Sequence, residues 1–132
     1  VTLAVRAASM KAAEQVAAHI RSLDAQAQVE VMDIEQLGGS QAYELMINAT
    51  PVGMYPNVQH SPVDEQALRS VKTLFDCIYN PGTTLLMQQA QQAGCQTIGG
   101  MEMLVWQAAA AQEIWFGRSF SDCQVAQVAA KM

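Results

Sequence analysis

Two stretches of this sequence carry polar side chains at points where a predicted strand changes into a predicted helix. The first, residues 78–84, contains Tyr79, and the second, residues 99–107, ends with Gln107. A phenol and a side-chain amide both form hydrogen bonds with hydroxyl groups, so the pair could bind a small hydroxylated ligand. Both stretches contain glycine or proline, and we expect them to line one crevice. A half-buried structural tyrosine at a strand end is an equally common alternative for Tyr79.

Gln107 is unusual because its neighbours on the predicted helix are apolar. Met103 and Leu104 lie beside it, so its amide needs a hydrogen-bond partner. That partner is either a ligand or the backbone of another segment, and both interpretations stay open. The residues before this helix are also open to two interpretations. Gly99 and Gly100 either let a cofactor approach the backbone closely or form a tight turn.

The loop after the third predicted strand, residues 48–54, presents the side chains of Asn48 and Thr50 together with backbone amides. A loop of this composition at a strand end can contact a nucleotide. Residues 49–57 contain two prolines and a glycine, which excludes regular structure. Turn chemistry explains every residue of the loop, so an ordinary connection is favoured on the loop alone.

Arg6 follows the first predicted strand, and Lys11 adds a second positive charge nearby. In a dinucleotide-binding domain that selects NAD, the second strand usually ends in an acidic residue that binds the ribose hydroxyls. An arginine at that place accommodates the 2′-phosphate of NADP instead. No acidic residue lies between Val5 and Lys11. A solvated arginine explains the position equally well by itself, whereas a strand–helix–strand context favours NADP.

The remaining polar residues form no recognised catalytic or metal-binding pattern. The spacing of Asp33, Asp64 and Asp76 does not suit a metal ion, and neither histidine has an obvious nucleophile partner. No GxGxxG loop is present to hold phosphates. The three cysteines are an odd number without close spacing, which fits a reducing cytosol better than an oxidising compartment. We therefore predict no metal site.

Composition indicates a folded globular chain. Of its 132 residues, 51% are hydrophobic and 14% are charged, with a mean hydropathy of +0.08, which argues against disorder. The net charge of −5 and the pI of about 4.8, with scattered lysine and arginine, argue against a nucleic-acid partner. No apolar run approaches the roughly 18 residues of a membrane span.

The elements that must position these residues alternate between strand and helix. Strands are predicted at residues 3–5, 29–34, within 43–48, 73–78 and 96–98. Helices are predicted after Ser9 as an N-cap, near residues 65–70, over residues 84–93, from residue 101 to about 117, and from Ser121 with Gln124 as a capping-box partner. The last helix is expected to bury Val125, Val128 and Ala129.

This alternation predicts an α/β fold, namely a partial Rossmann-like, doubly wound and mostly parallel sheet with C-terminal helices. In such sheets ligands bind outside the carboxyl ends of the strands. Arg6, Asn48, Tyr79 and the pair Gly99 and Gly100 all fall at those ends. Their coincidence at strand ends is the main argument from the residues for a ligand crevice.

Three segments of the sequence match motifs of a known family. Residues 48–54 read NATPVGM, residues 76–81 with Thr84 read D-x-x-Y-x-P…T, and residues 100–109 read G-x-x-M-L-V-x-Q-A-A. They follow the family's order and spacing and extend from residue 48 to residue 109. Together they resemble the C-terminal part of the shikimate dehydrogenase family.

The resemblance implies an NADP-dependent oxidoreductase that reversibly reduces 3-dehydroshikimate to shikimate in aromatic amino-acid biosynthesis, in the cytoplasm. It also implies that the family's glycine-rich loop, catalytic lysine and catalytic aspartate lie upstream of Val1. We therefore expect no catalytic residue within this sequence, and no activity from the chain alone. The implied partner is the small-molecule substrate, without nucleic acid or membrane, and a homodimer is left open.

The resemblance assigns roles residue by residue. Cofactor-binding positions are Arg6, Ala7, Ser9, Lys11, Asn48, Thr50, Cys77 and Gly100. Substrate-facing positions are Tyr79 and Gln107. Residues 1–100 would form the NADP-binding domain without its first strand and glycine-rich loop, and residues 101–132 would pack on the substrate domain.

The sequence departs from the family's pattern near the first strand. The family's Asn-Arg-Thr is Val5-Arg6-Ala7 here, and Met10 replaces a frequent second arginine. A quinate/shikimate dehydrogenase that uses NAD is therefore an alternative. A non-catalytic dinucleotide-binding module is another.

Overall fold

The computed structural model describes residues 1–38 and 41–132, and they form two compact units. The first unit is Val1–Gln41 and the second is Ala42–Met132. The loop predicted around residues 38–40 falls partly outside the described residues, because Gly39 and Ser40 are not among them. The predicted boundary between residues 100 and 101 is not tested by this division and stays a prediction.

The first unit is a strand–helix–strand arrangement. Strands β1 (Thr2–Val5) and β2 (Glu30–Asp33) are parallel, with Val5 opposite Asp33, and helix α1 (Met10–Leu23) connects them. Short 3-10 turns follow each strand, at Ala7–Ser9 and Ile34–Gln36. Helix α1 buries Ala13 and Ala17.

The second unit contains a three-stranded parallel sheet in the order β3-β4-β5. Its elements are β3 (Tyr43–Asn48), α2 (Glu65–Leu68), β4 (Val71–Asp76), α3 (Leu85–Gln92), β5 (Gln96–Ile98), α4 (Met101–Phe116) and α5 (Asp122–Ala129). The prediction of an α/β fold with parallel strands and C-terminal helices is confirmed.

The core of the second unit lies between this sheet and the helices α2 and α3. Its buried members are Leu68, Val71, Leu74, Leu86, Met87, Ala90 and Cys95. Burial of each larger aliphatic side chain contributes about 1.5–3 kcal/mol relative to exposure. This core fixes β4 and α3, and therefore also the loop of residues 77–84 between them.

Several predicted helix ends are confirmed by their hydrogen bonds. The Thr84 hydroxyl accepts from the Met87 amide at the start of α3, and Gly94, with φ +90°, follows its end. Ser121 and Gln124 form the predicted capping box of α5. Ser9 differs from the prediction, since it occupies the N-cap position of α1 but its side chain makes no capping hydrogen bond.

Helices α4 and α5 are apolar but poorly covered. Helix α4 has no buried residue, and Ile114, Trp115 and Phe116 are 81%, 68% and 64% exposed. The prediction that α5 buries Val128 is wrong, because that side chain is 49% exposed while Val125 is buried. None of the helices among the described residues has the length and apolar character needed to span a membrane.

Candidate functional site

The carboxyl ends of β3 and β4 meet at Asn48 and Asp76, which are register partners. Both side chains are buried, with Asn48 5% and Asp76 0% exposed. The Asn48 amide nitrogen donates a 3.0 Å hydrogen bond to Asp76 Oδ1. The two strand ends are therefore joined by side chains as well as by the sheet.

The Asp76 carboxylate also binds two groups from the segment that follows β4. Its Oδ1 accepts from the Ile78 amide at 3.1 Å, and its Oδ2 accepts from the Thr84 hydroxyl at 2.6 Å. Thr84 is itself fully buried and accepts from the Met87 amide at 3.2 Å. One carboxylate thus connects the end of β3, the loop after β4 and the first turn of α3.

The loop after β3 is closed by the same asparagine. Asn48 Oδ1 accepts from the Thr50 amide at 3.0 Å and from the Thr50 hydroxyl at 2.8 Å, and that hydroxyl accepts from the Val52 amide at 3.3 Å. Further along the loop, Gly53 adopts φ +94°, which favours glycine. The predicted nucleotide-contacting groups Asn48 and Thr50 therefore have internal hydrogen bonds that shape the loop. Their contact with a cofactor stays a prediction.

Tyr79 is carried by a backbone segment that is held from several directions. The Cys77 amide donates to the Asn48 carbonyl at 3.0 Å, and the Gly100 amide donates to the Ile78 carbonyl at 3.1 Å. One residue beyond Tyr79, the Asn80 carbonyl accepts from the Tyr55 amide at 3.0 Å. The Tyr79 side chain is 44% exposed. A partly free phenol on a fixed backbone suits hydrogen bonding to a ligand.

Gly100 lies where the start of α4 approaches this segment. A Cβ atom at residue 100 would overlap the Cys77 carbonyl oxygen and lie 2.6 Å from its carbonyl carbon. A Cβ at Gly99 would instead make an ordinary 3.5 Å contact with Met87 Cε. The space beside Gly100 is thus filled by the Cys77 peptide, so close packing of the chain itself explains this glycine. Cys77 and Gly100 are adjacent in the structure, and their contact with the nicotinamide stays a prediction.

Gln107 lies on α4, and its amide is not buried as its apolar neighbours on the helix had indicated. Its side chain is exposed, and it makes no hydrogen bond within the part of the chain that the structure describes. Apolar neighbours indicate burial only when another element covers that face, and Met103 and Leu104 are only partly buried. The amide is free to contact a ligand, which stays a prediction.

In the first unit, Arg6 directly follows β1, and Lys11 lies in the first turn of α1. Both side chains are exposed, and neither forms an ion pair with any residue in the described ranges 1–38 and 41–132. Between them, Ala7 is exposed and Ser9 is partly buried. The Ser9 amide donates to the Arg6 carbonyl at 2.7 Å, so only its hydroxyl stays available. Two uncommitted cations at a strand end fit a phosphate group.

The acidic residue nearest to Arg6 in the sheet is Asp33, which lies opposite Val5 at the end of β2. Asp33 Oδ1 accepts a 3.0 Å hydrogen bond from the Glu35 amide, so this carboxylate caps the turn that follows β2. In the described part of the chain, no group of three histidine, cysteine or acidic residues could hold a metal ion.

The sequence placed Asp76 in the D-x-x-Y motif but did not identify its role as a buried hydrogen-bond acceptor. The available signal was alternation, because Leu74, Asp76 and Ile78 share one face of an extended segment and all three are buried. An acidic residue between two buried aliphatic ones requires donors. Sequence alone did not identify them.

A family model for the C-terminal domain of shikimate 5′-dehydrogenase matches residues 100–121. A shikimate dehydrogenase (NADP(+)) of Crocosphaera subtropica is 40% identical over 100 residues, covering 73% of this chain and 35% of that protein. The chain belongs to the shikimate dehydrogenase family. It spans about a third of the length of this curated relative and matches the C-terminal part of such proteins.

Solved structures of shikimate dehydrogenases share this fold. A shikimate dehydrogenase 1 of Peptoclostridium difficile is 35% identical with a TM-score of 0.70, covering 80% of this chain and 39% of that one. A shikimate dehydrogenase solved in complex with NADP+ is 28% identical with a TM-score of 0.77, covering 98% of this chain and 45% of that one.

Proposed function

We propose that this chain is the nucleotide-binding part of an NADP-dependent shikimate dehydrogenase, which reversibly reduces 3-dehydroshikimate to shikimate. The observation that carries the cofactor choice is the exposed Arg6 at the carboxyl end of β1, which forms no ion pair with any of the described residues. Four curated relatives at 36–44% identity carry the name shikimate dehydrogenase (NADP(+)), which supports the reaction.

In this proposal the first unit binds the adenosine end of the cofactor. The guanidinium of Arg6 holds the 2′-phosphate through paired charge-assisted hydrogen bonds, and Lys11 adds a point charge. The Ser9 hydroxyl and the surface of Ala7 complete the contact. Met10 offers no charge, so discrimination between NADP and NAD rests on Arg6 and Lys11.

The second unit would position the reacting groups. NADPH, when bound, supplies the hydride. Asn48 and Thr50 shape the loop beside it, and the Cys77–Gly100 contact provides a firm surface for the nicotinamide. Tyr79 and Gln107 would donate hydrogen bonds to the substrate's hydroxyl and carboxylate groups. This chain then contributes positioning, whereas proton transfer falls to a lysine and an aspartate outside residues 1–132.

The exposed surface of α4 and the cysteines fit the proposed domain packing and the proposed location. The exposed apolar face of α4 is consistent with packing of residues 101–132 on a substrate domain. The cysteines Cys77, Cys95 and Cys123 are free thiols, which fits a cytoplasmic location. Residues 1–132 alone are expected to be inactive. Whether the whole protein forms a homodimer is tested by measuring its mass by sedimentation.

The proposal is tested by steady-state kinetics of the full-length protein with shikimate or quinate and with NADP or NAD. Arg6→Ala should lower kcat/KM for NADP about 10–100-fold, since a hydrogen bond to a charged group contributes about 1.5–3 kcal/mol. Turnover with NAD should stay unchanged. Arg69→Ala, which removes an exposed arginine from the end of α2, is the matched control.

Each alternative predicts its own result. A preference of the unmodified protein for NAD would contradict the cofactor assignment and favour the NAD-using quinate/shikimate dehydrogenase. Nucleotide binding without turnover of either acid would favour a non-catalytic dinucleotide-binding module.

A further inference from the structure

We infer that Asp76 is a positioning residue of this site, whose buried carboxylate fixes the peptide that carries Tyr79. The inference rests on the proposed function, because Tyr79 is taken as a substrate-facing residue. Asp76 itself is fully buried and does not reach the substrate. It would act through the Ile78 peptide and through Thr84.

The first argument is the cost of placing this side chain in the core. A buried carboxylate is unfavourable unless its oxygens are hydrogen-bonded. No lysine, arginine or histidine of the described residues pairs with Asp76, and its partners Asn48, Ile78 and Thr84 are all neutral. An aliphatic residue would satisfy the alternation of Leu74 and Ile78 without that cost. The carboxylate adds hydrogen bonds in fixed directions, which an aliphatic side chain cannot form.

The second argument is the placement of the two oxygens. Oδ1 receives hydrogen bonds from Asn48 on β3 and from the amide of Ile78, while Oδ2 receives one from Thr84 at the start of α3. The carboxylate plane is therefore fixed by donors on both sides. Its orientation determines where the Ile78 amide lies.

The third argument is the position of Ile78 directly before Tyr79. The amide of Ile78 binds Asp76, and its carbonyl accepts from the Gly100 amide. Both polar groups of this residue are thus held by other parts of the second unit. Loss of the Thr84 hydrogen bond would allow the carboxylate to rotate and would loosen the peptide before Tyr79.

The test uses the full-length protein with Thr84→Val, which removes the hydroxyl at nearly constant volume, and Asp76→Asn, which replaces the Thr84 acceptor by an amide. Both should lower kcat/KM for shikimate about tenfold, because small misplacements of positioning groups reduce turnover. In Thr84→Val, which leaves the Asn48 contact in place, the Kd for NADP should change less than about twofold. Thr84→Ser, which keeps the hydroxyl, should restore activity.

The combined variant Asp76→Asn with Thr84→Val should lose less activity than the sum of the two single changes, because both act on the hydrogen bond between residues 76 and 84. Thr97→Val is the matched control, since it removes a hydroxyl that accepts only from Gln91 on the exposed side of the unit. Hydrogen exchange of the Ile78 amide provides a readout without turnover. It should be about tenfold faster in Thr84→Val and unchanged in Thr97→Val.

Unchanged exchange at Ile78 in Thr84→Val would overturn the inference. So would a lower melting temperature with unaltered kcat/KM in the folded enzyme, because that result describes a purely structural network. If the unmodified protein turned over neither acid with either nucleotide, the proposed function would be refuted, and the exchange measurement would then decide whether Asp76 fixes the segment.

Discussion

Replacing Gly100 with alanine tests a backbone contact that only glycine fits. The added Cβ would overlap the Cys77 carbonyl oxygen and approach the carbonyl carbon of Ile78 to 3.0 Å. These are backbone atoms, so no side-chain rotation relieves the overlap. Either α4 or residues 77–78 must move, and the hydrogen bond from the Gly100 amide to the Ile78 carbonyl would lengthen.

The magnitude follows from two opposing terms. Overpacking typically costs about 1–3 kcal/mol, and contact with backbone belongs at the upper end of that range. Alanine recovers about 0.4–1 kcal/mol by restricting the unfolded chain, since φ −78° and ψ −2° suit an alanine. The net destabilisation of Gly100→Ala is therefore about 2 kcal/mol. In the full-length protein it lowers the melting temperature by about 4–8 °C, at about 2–4 °C per kcal/mol for a protein of 150–250 residues.

Two neighbouring glycines provide controls for the same measurement, a thermal unfolding curve of the full-length protein. Gly99→Ala adds only the 3.5 Å contact with Met87, and Gly82→Ala adds a Cβ with nothing within 4 Å. Both variants should melt within about 2 °C of the unmodified protein. The steric explanation is refuted if Gly100→Ala also melts within that interval.

Two further predictions concern stability and pH. Ser121→Ala removes the hydroxyl of the α5 capping box, which accepts from the Gln124 amide at 3.4 Å, and should cost about 1 kcal/mol in urea unfolding. Ser119→Ala should be neutral, and equal midpoints for the two variants would contradict the prediction. Burial raises the pKa of the Cys95 thiol, so the folded state keeps a proton that the unfolded chain releases. The contribution of Cys95 to the free energy of unfolding should therefore be fully present below the unfolded thiol pKa of about 8.5, and it should fall as the pH rises above that value. Unfolding curves at increasing pH measure this loss, Cys95→Ala should remove the Cys95 contribution, and an identical pH slope in that variant would exclude the thiol as its source.

Local sequence signals predicted most of the secondary structure. The capping box located the start of α5, and Gly94 located the end of α3, because these signals depend on residues within a few positions of one another. The ends of strand β4 were predicted less accurately. The strand begins at Val71, two residues before its predicted start, and ends at Asp76, two residues before its predicted end.

For the site, the sequence alone determined which residues stand at strand ends and which motifs they form, since order along the chain fixes both. The tertiary structure decided how those residues are used. It buried Asp76 among three neutral donors, filled the space beside Gly100 with the Cys77 peptide, and left Gln107 exposed. Burial and hydrogen-bond partners depend on which distant segments pack against a residue, and that information is absent from local spacing.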